Sequence, residues 1–368
     1  MRVLQVNIDN KNKGGAYILI HNMDMCLSED VSFDYLSMDE FIENGEIKGK
    51  TYSAHLRNNR LLGHFMLPAY VNKVLKQNKY DVMHINSDSS WKAVLYALPA
   101  KKNNVKVLVH SHSTGSDGSF KLLKDVLHYL CRPFINSLAD MCIACSPEAG
   151  KWMFSREKFT VLHNGISPEK FVYSAARRQK MREQLGYTRN DFVVGNVGLI
   201  SKTKNQEFLL DVLASLKKKR NNAKLLLVGS YEEKTYRQLK HKAIKLGVLE
   251  NVQFTGAMSD IPSILAAIDW FAFPSLFEGL GISLIEAQAM GASCVVSENI
   301  THEAYISNYI TCCPLEAGAA KWADVIDNGS INPDRGQAAQ ELYTHNYTIK
   351  GCATELEKIY QQMEKGNL

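Results

Sequence analysis

No stretch of 18 consecutive apolar residues occurs in the chain, so no segment is long enough to cross a bilayer as a helix. Low-complexity tracts are missing too, which excludes a fibrous or disordered chain. The Cys142-Ile-Ala-Cys145 spacing has no second close pair to complete a zinc site, because Cys312 and Cys313 are adjacent and far away in sequence. MCIACS therefore reads as a buried strand carrying small apolar thiols, and all eight cysteines are expected to be reduced. Neither an interleaved aromatic-basic motif nor a zinc-finger spacing is present, and no nucleic-acid partner is expected. The N-terminus, MRVLQVNIDNKNKGG, lacks the longer apolar region and the small-residue cleavage site of a secretion signal; it reads as a first strand, and a cytoplasmic chain is expected.

What is present points to a large folded protein. At 368 residues the chain is long for one core and suggests two domains. The net charge of +5 is unevenly placed: eight acids and no Lys or Arg lie between Asp24 and Glu46, whereas Lys48 to Lys106 carries eleven basic residues against Asp81 and Asp88. A basic first half suits an anionic membrane surface or a phosphate-bearing acceptor, and a solvated face is the plainer explanation.

Apolar runs recur with helix-length segments between them: RVLQVNI, FDYLSM, YDVMHIN, VKVLVHSHS, MCIACS and TVLHNG, then FVVGNVGLI, AKLLLVGS, VQFTGA, WFAFPS and ASCVVSEN. That rhythm predicts strands of a parallel sheet covered on both faces by crossover helices, twice over, hence an α/β chain of two Rossmann-like, doubly wound domains. The polar stretch PEKFVYSAARRQKMREQLGYTRND reads as a linker and peripheral helix, which puts the boundary near Ser167. Ligands of open α/β sheets bind beyond the carboxyl ends of the strands, so the informative loops are the strand exits.

Those exits carry chemistry. Gly14 and Gly15 follow the first strand and would let backbone approach a phosphate or sugar. Lys202 and Lys204 leave the first strand of the second half, placed to neutralise a diphosphate, with surface lysines as the alternative. His110 and His112 alternate along one strand and are expected to point to opposite faces unless the strand ends between them; His112, nearer the exit, is the one expected at the site, and His110 a hydrogen-bonded packing residue. In FEGLGISLIEAQAMG, Glu278 and Glu286 flank a Gly-Leu-Gly turn that enters a helix. Ser283 with Glu286 matches a capping box, and Gly291 a left-handed stop. The same turn, Gly279 to Ile282, offers helix-start N–H groups to a phosphate, with the two glutamates as acceptors for hydroxyls attached to it, as in a nucleotide sugar.

Taken together, GGAYILI, YDVMHIN, VHSHSTG, ACSPEAG, VLHNGI, VGLISKTKNQEFLL, LLLVGS and PSLFEGLGISLIEAQAMGASCVVSENIT resemble the retaining GT-B glycosyltransferases of family 4, especially bacterial enzymes of exopolysaccharide and capsule assembly. The Glu278 to Glu286 spacing matches that family's EX7E motif. The resemblance implies an acceptor-binding domain over 1–166, a nucleotide-sugar domain over 167–349 facing it across a cleft, and a C-terminal helix over about 350–368 that packs back on the first domain. It also implies roles. Glu286 binds the ribose hydroxyls, Glu278 faces the transferred sugar, Lys204 contacts the diphosphate, His112 lies near the reacting centre, and the backbone of Gly279, Leu280, Gly281 and Ile282 holds the phosphates.

The implied donor is a nucleotide sugar, with UDP the preferred nucleotide, and no metal or other cofactor is expected, in agreement with the absence of an Asp-X-Asp triplet at a strand end. The implied acceptor is a lipid-linked saccharide. Two departures stand out: Leu199 replaces the family's usual Arg, and Asn86 replaces the second histidine after His84. A nucleotide-sugar 2-epimerase and a catalytically weakened binding protein of the same fold are the rival readings. Finally, FKLLKDVLHYLCRPFINSLADM sets Lys121, Lys124, His128 and Arg132 among leucines and aromatics. It reads either as a kinked crossover helix that buries most of its leucines on the sheet or as a contact with the inner face of the cell membrane.

Overall fold

The apolar runs become parallel strands because the segments after them are long enough to return the chain over the sheet, most of them as a helix, and parallel pairing requires such a crossover. The computed structural model describes residues 1–8, 15–41, 47–56, 60–115, 120–155 and 158–366. In it the chain divides into one unit of Met1–Ile166 with Asn346–Leu368 and another of Ser167–His345. The first unit holds β1 (Arg2–Val6), β2 (Ser32–Ser37), β3 (Thr51–Ser53), β4 (Val82–Ser87), β5 (Lys106–Ser111), β6 (Met141–Ala144) and β7 (Thr160–Val161), in the order β3-β2-β1-β4-β5-β6-β7. The second holds β8 (Phe192–Val197), β9 (Ala223–Val228), β10 (Val252–Gly256), β11 (Trp270–Phe273), β12 (Ser293–Val296) and β13 (Ile310–Cys312), in the order β10-β9-β8-β11-β12-β13. All pairings between these strands are parallel.

Both sheets start in the middle, grow outward, and then jump back across the first strand. The reversal lies between β1 and β4 in one unit and between β8 and β11 in the other, the place where successive loops part to opposite faces. β3 and β13 have no counterpart among the expected runs. Both are three-residue strands at a sheet edge, and no residue of either is fully buried, so they carry little apolar signal.

The stretch expected to be a linker is part of the second unit. It contains the helix Ala175–Gln184, whose Arg178 donates to the carbonyls of Ala266, Ala267 and Ile268 and pairs with Asp269 at 2.7 Å. The chain leaves this unit at Asn346, a few residues before the expected 350, and Ile349 N–H donates to Ile166 O at 2.8 Å. The helix Ile349–Lys365 then buries Ile349, Cys352, Ala353, Leu356, Ile359, Tyr360 and Met363, the one-sided spacing of an amphipathic helix, in the same core as Val3, Phe33, Val82 and Leu108.

The crossover helix Lys121–Leu138 corrects the packing expectation. Its buried residues are His128 and Ile135, while Leu122 is 80% and Leu130 64% exposed, as are most of its other large apolar side chains in some measure. His128 holds the helix down: its Nδ1 accepts from Ser90 N–H at 3.1 Å, its Nε2 donates to Trp152 O at 2.9 Å, and its ring stacks on Trp152 at 3.9 Å.

If the returning helix is part of the first core, Leu356→Ala should destabilise that unit by about 2–5 kcal/mol, the usual cost of emptying a leucine site. Hydrogen exchange would read this as lost protection of amides in β1, β4 and β5.

Candidate functional site

At the reversal of the second sheet, the loops leaving β8 and β11 are tied to one another. Leu276 N–H donates to Thr203 O at 2.8 Å, and Asn205 Nδ2 to Pro274 O at 3.2 Å. Beneath them, buried Gln206 donates to Asn196 Oδ1 and Leu199 O, both at 3.1 Å, and accepts from Ser201 N–H at 3.2 Å. Asn196 in turn donates to Ala272 O at 2.8 Å. A buried amide with all these partners pins the turn before the helix Gln206–Lys217, which carries Lys204. Sequence reasoning passed over Gln206 and Asn196, whose only signal is a polar residue inside an otherwise apolar pattern.

Lys204 Nζ forms an ion pair with Glu278 Oε1 and lies 5.4 Å above the Phe273 ring. Phe273 also faces Gly281, where φ is +83° and a Cβ would come within 3.1 Å of the ring. Only glycine meets both demands cheaply. The helix Ile282–Ala289 therefore starts from a left-handed Gly281, with Ser283 inside the helix and no side-chain cap, so the capping box does not form. Gly291, at φ +72°, is the left-handed stop that was expected. Leu280 is buried; Leu284 N–H and Ile285 N–H both turn back to Gly281 O, at 2.9 and 3.3 Å, and the amides of Ile282 and Ser283 ahead of them have no acceptor within the helix.

Glu286, freed from capping, is half-buried and makes no side-chain hydrogen bond or ion pair with any described residue. Burial pushes its carboxyl up to about 7. Lys202 is exposed and contributes no contact to the Lys204–Glu278 pair. Gly15 begins the helix Gly15–Asp24, and a Cβ there would meet nothing within 4 Å, so packing does not require glycine. Gly14 lies outside the described residues.

His112 belongs to the first unit, and its surroundings differ from the expectation. Residues two apart on a strand share a face, so His110 and His112 lie side by side with ring centroids 3.9 Å apart rather than on opposite faces. His110 bonds His84 through Nδ1 at 3.2 Å and leaves Nε2 unpaired. His112 Nε2 meets Asn86 Oδ1 at 2.9 Å, and burial lowers its pKa to about 4 despite the nearby Asp88 carboxylate.

The family description "Glycosyl transferases group 1" matches residues 177–339, and "Glycosyltransferase Family 4" matches residues 36–170, one in each unit. The chain belongs to the group 1/family 4 glycosyltransferases. The putative glycosyltransferase EpsF of Bacillus subtilis is 29% identical over 98% of this chain and 96% of its own. The Escherichia coli UDP-Gal:α-D-GlcNAc-diphosphoundecaprenol α-1,3-galactosyltransferase is 28% identical over 61% of this chain and 59% of its own. Among solved structures, Anabaena HepE in complex with UDP and glucose superposes with a TM-score of 0.79 over 98% of this chain and 100% of its own, at 20% identity, a likeness of GT-B fold.

In this glycosyltransferase Leu199 is 57% exposed, so the side chain that stands in place of the family's usual Arg is not held by packing. Glu286 offers a sharper test. Its raised pKa means that the folded chain keeps a proton which the unfolded chain releases between its ordinary value near 4.5 and about 7, so stability falls as pH rises through that window. Glu286→Gln removes this loss: its melting temperature should match the wild type at pH 4 and exceed it at pH 8, as measured by calorimetry.

Proposed function

We propose that the chain is a retaining glycosyltransferase that moves a sugar from a nucleotide sugar, with UDP as the nucleotide, to a hydroxyl of a lipid-linked polysaccharide precursor. The observation that carries the reading is the Lys204–Glu278 pair at the strand-order reversal, beside the first turn of the helix Ile282–Ala289. UDP and glucose in HepE, and the diphosphoundecaprenol-linked acceptor named for the Escherichia coli relative, support the donor and acceptor classes.

In a front-face displacement the bond from the anomeric carbon to the diphosphate oxygen breaks, the acceptor oxygen bonds on the same face, and the departing phosphate takes the acceptor's proton. Negative charge grows on the diphosphate while positive charge grows at the anomeric carbon. Lys204 and the helix-start amides at Gly281 and Ile282 answer the first, and the Glu278 carboxylate answers the second. With that charge supplied by the chain, the reading calls for no resident metal or cofactor. Glu286, raised in pKa and unpartnered, suits paired ribose hydroxyls, which would donate to it and favour its ionised form.

Incubation with UDP-sugars, with and without a polyprenyl-diphosphate-linked saccharide, should give product only when both substrates are present. Epimerised nucleotide sugar without acceptor would overturn the reading. Lys204→Ala should lower the rate of transfer by about two to three powers of ten, the loss typical of removing one transition-state donor.

A lipid-linked acceptor would be met at the inner face of the cell membrane, and the leucine face of Lys121–Leu138 supports docking there. Leu122, Leu123, Leu130 and Phe134 are exposed on that helix, which also carries Lys121 and Lys124. Burying such side chains contributes up to about 1.5–3 kcal/mol each, and each lysine near anionic lipid about 1 kcal/mol more. In vesicle flotation, recovery should rise with anionic lipid, fade with salt, and collapse in a Leu122→Asp, Leu130→Asp variant. Equal recovery on neutral vesicles at low salt, or undiminished binding by the variant, would sink this docking surface.

A further inference from the structure

The first unit buries a row of polar side chains under its C-terminal helix, and their hydrogen bonds form one continuous chain. His112 Nε2 meets Asn86 Oδ1 at 2.9 Å; Asn86 Nδ2 meets Gln5 Oε1 at 3.0 Å; Gln5 Nε2 meets Tyr360 Oη at 3.1 Å. Tyr360 Oη then meets His84 Nδ1 at 2.7 Å, and His84 Nε2 meets His110 Nδ1 at 3.2 Å. Gln5, His84, Asn86, His110 and Tyr360 are all buried, so water does not compete for these bonds.

The direction of the chain follows from one carbonyl. Val6 O, which can only accept, lies 3.5 Å from Asn86 Nδ2, so the amide nitrogen faces Val6 and Gln5 and its oxygen faces His112. His112 must then donate from Nε2. Asn86 donates to Gln5, Gln5 to Tyr360, Tyr360 to His84, and His84 to His110, whose Nε2–H is the unpaired end. Each donor points the same way, from the strand exit of β5 toward the core. In His112 this leaves Nδ1 as a lone pair with no partner among the described residues, on a half-buried ring.

We propose that Asn86, backed by Gln5 and Tyr360, is a positioning residue that holds His112 with its proton on Nε2, so that Nδ1 is left to receive a hydrogen bond from a hydroxyl of a bound saccharide. The surroundings keep the ring neutral. His84 and His110 are the titratable groups beside it, both with pKa values driven well down by burial, and Asp88 is the charged group whose field reaches it. A neutral ring with its lone pair outward accepts from a ligand and does not protonate one. The part about the sugar rests on the function proposed above; the part about the proton does not.

Nitrogen-15 spectra of histidine-labelled protein test the proton directly. In the wild type the His112 signals should show the proton on Nε2 alone, and in Asn86→Leu both tautomers should appear. Asn86→Asp, which keeps an acceptor at the same place, should preserve the Nε2 proton and raise the titration midpoint of His112 by about one pH unit or more, because a carboxylate favours the imidazolium. A proton on Nδ1 in the wild type, or a pattern unchanged in Asn86→Leu with no shift in Asn86→Asp, would overturn the positioning role.

Activity tests the nitrogen that meets the sugar. An asparagine amide reaches the place of Nδ1 and a glutamine amide that of Nε2, so His112→Asn should retain kcat/KM within about tenfold of the wild type while His112→Gln loses roughly a hundredfold, toward the upper end of the cost of leaving a hydrogen-bonding group unmatched. The reverse order would overturn the Nδ1 assignment. No transfer by any form, with the expected nitrogen spectra, would refute the functional reading and leave the proton assignment standing.

Discussion

A parallel sheet cannot be closed by hairpins, and that constraint decides where the rest of this structure goes. Each strand must be followed by a crossover, so all strand exits of a sheet lie at one edge, and wherever the strand order reverses two of those exits part and expose backbone. In the second unit the reversal falls between β8 and β11, whose exits carry Lys204 on one side and Glu278 to Gly281 on the other. Sequence separation of more than seventy residues vanishes because the two strands are neighbours in the sheet. The cation, its carboxylate partner and the helix start are thus consequences of strand order before they are consequences of chemistry.

The local electrostatics build on that frame. Lys204 is held between a carboxylate and an aromatic face, both of which attract its positive charge. Glu286 is treated in the opposite way: half-buried and unpaired, it is kept near the point of protonation. Two carboxylates eight residues apart therefore differ in character, one committed to a cation within the chain and the other open to donors from outside it. Leu199 adds no charge to this balance, which leaves Lys202, Lys204 and the helix start as the positive features of these two strand exits.

How much of this could be read from residues varies with the kind of signal. Buried strands such as AKLLLV and WFAF announce themselves by unbroken apolar runs, whereas TYS and ITC, at the edges, bury too little to show. Glu278, Lys204 and Gly281 were legible as motif residues, yet the Ser283 and Glu286 capping box, a fair inference from spacing, gives way because Gly281 takes a left-handed conformation against Phe273 and starts the helix earlier. The helix Lys121–Leu138 was legible as amphipathic, but periodicity does not say which stripe faces inward. Here a histidine with partners on Ser90 and Trp152 wins the inner face and the leucines go out. Asn86, Gln5 and Tyr360 lie on β4, β1 and the C-terminal helix, and nothing short of the folded register brings them together.

The histidine row matters more than its size suggests. Burying amides, a phenol and imidazoles costs free energy that apolar side chains at those positions would avoid, and even a satisfied network gains only modestly over water. Here the network is not fully satisfied, since His110 ends it with an unpaired N–H. A core selected for stability alone would continue the apolar face that Val82 and Leu108 begin, with apolar side chains in place of His84, Asn86 and His110. Sequences depart from such local consistency chiefly where function demands it. The departure here begins at a histidine on a strand exit and ends under the helix Ile349–Lys365, so the returning C-terminal helix does more than cover a core: its Tyr360 hydroxyl closes the hydrogen-bond chain on which the direction of the His112 proton depends.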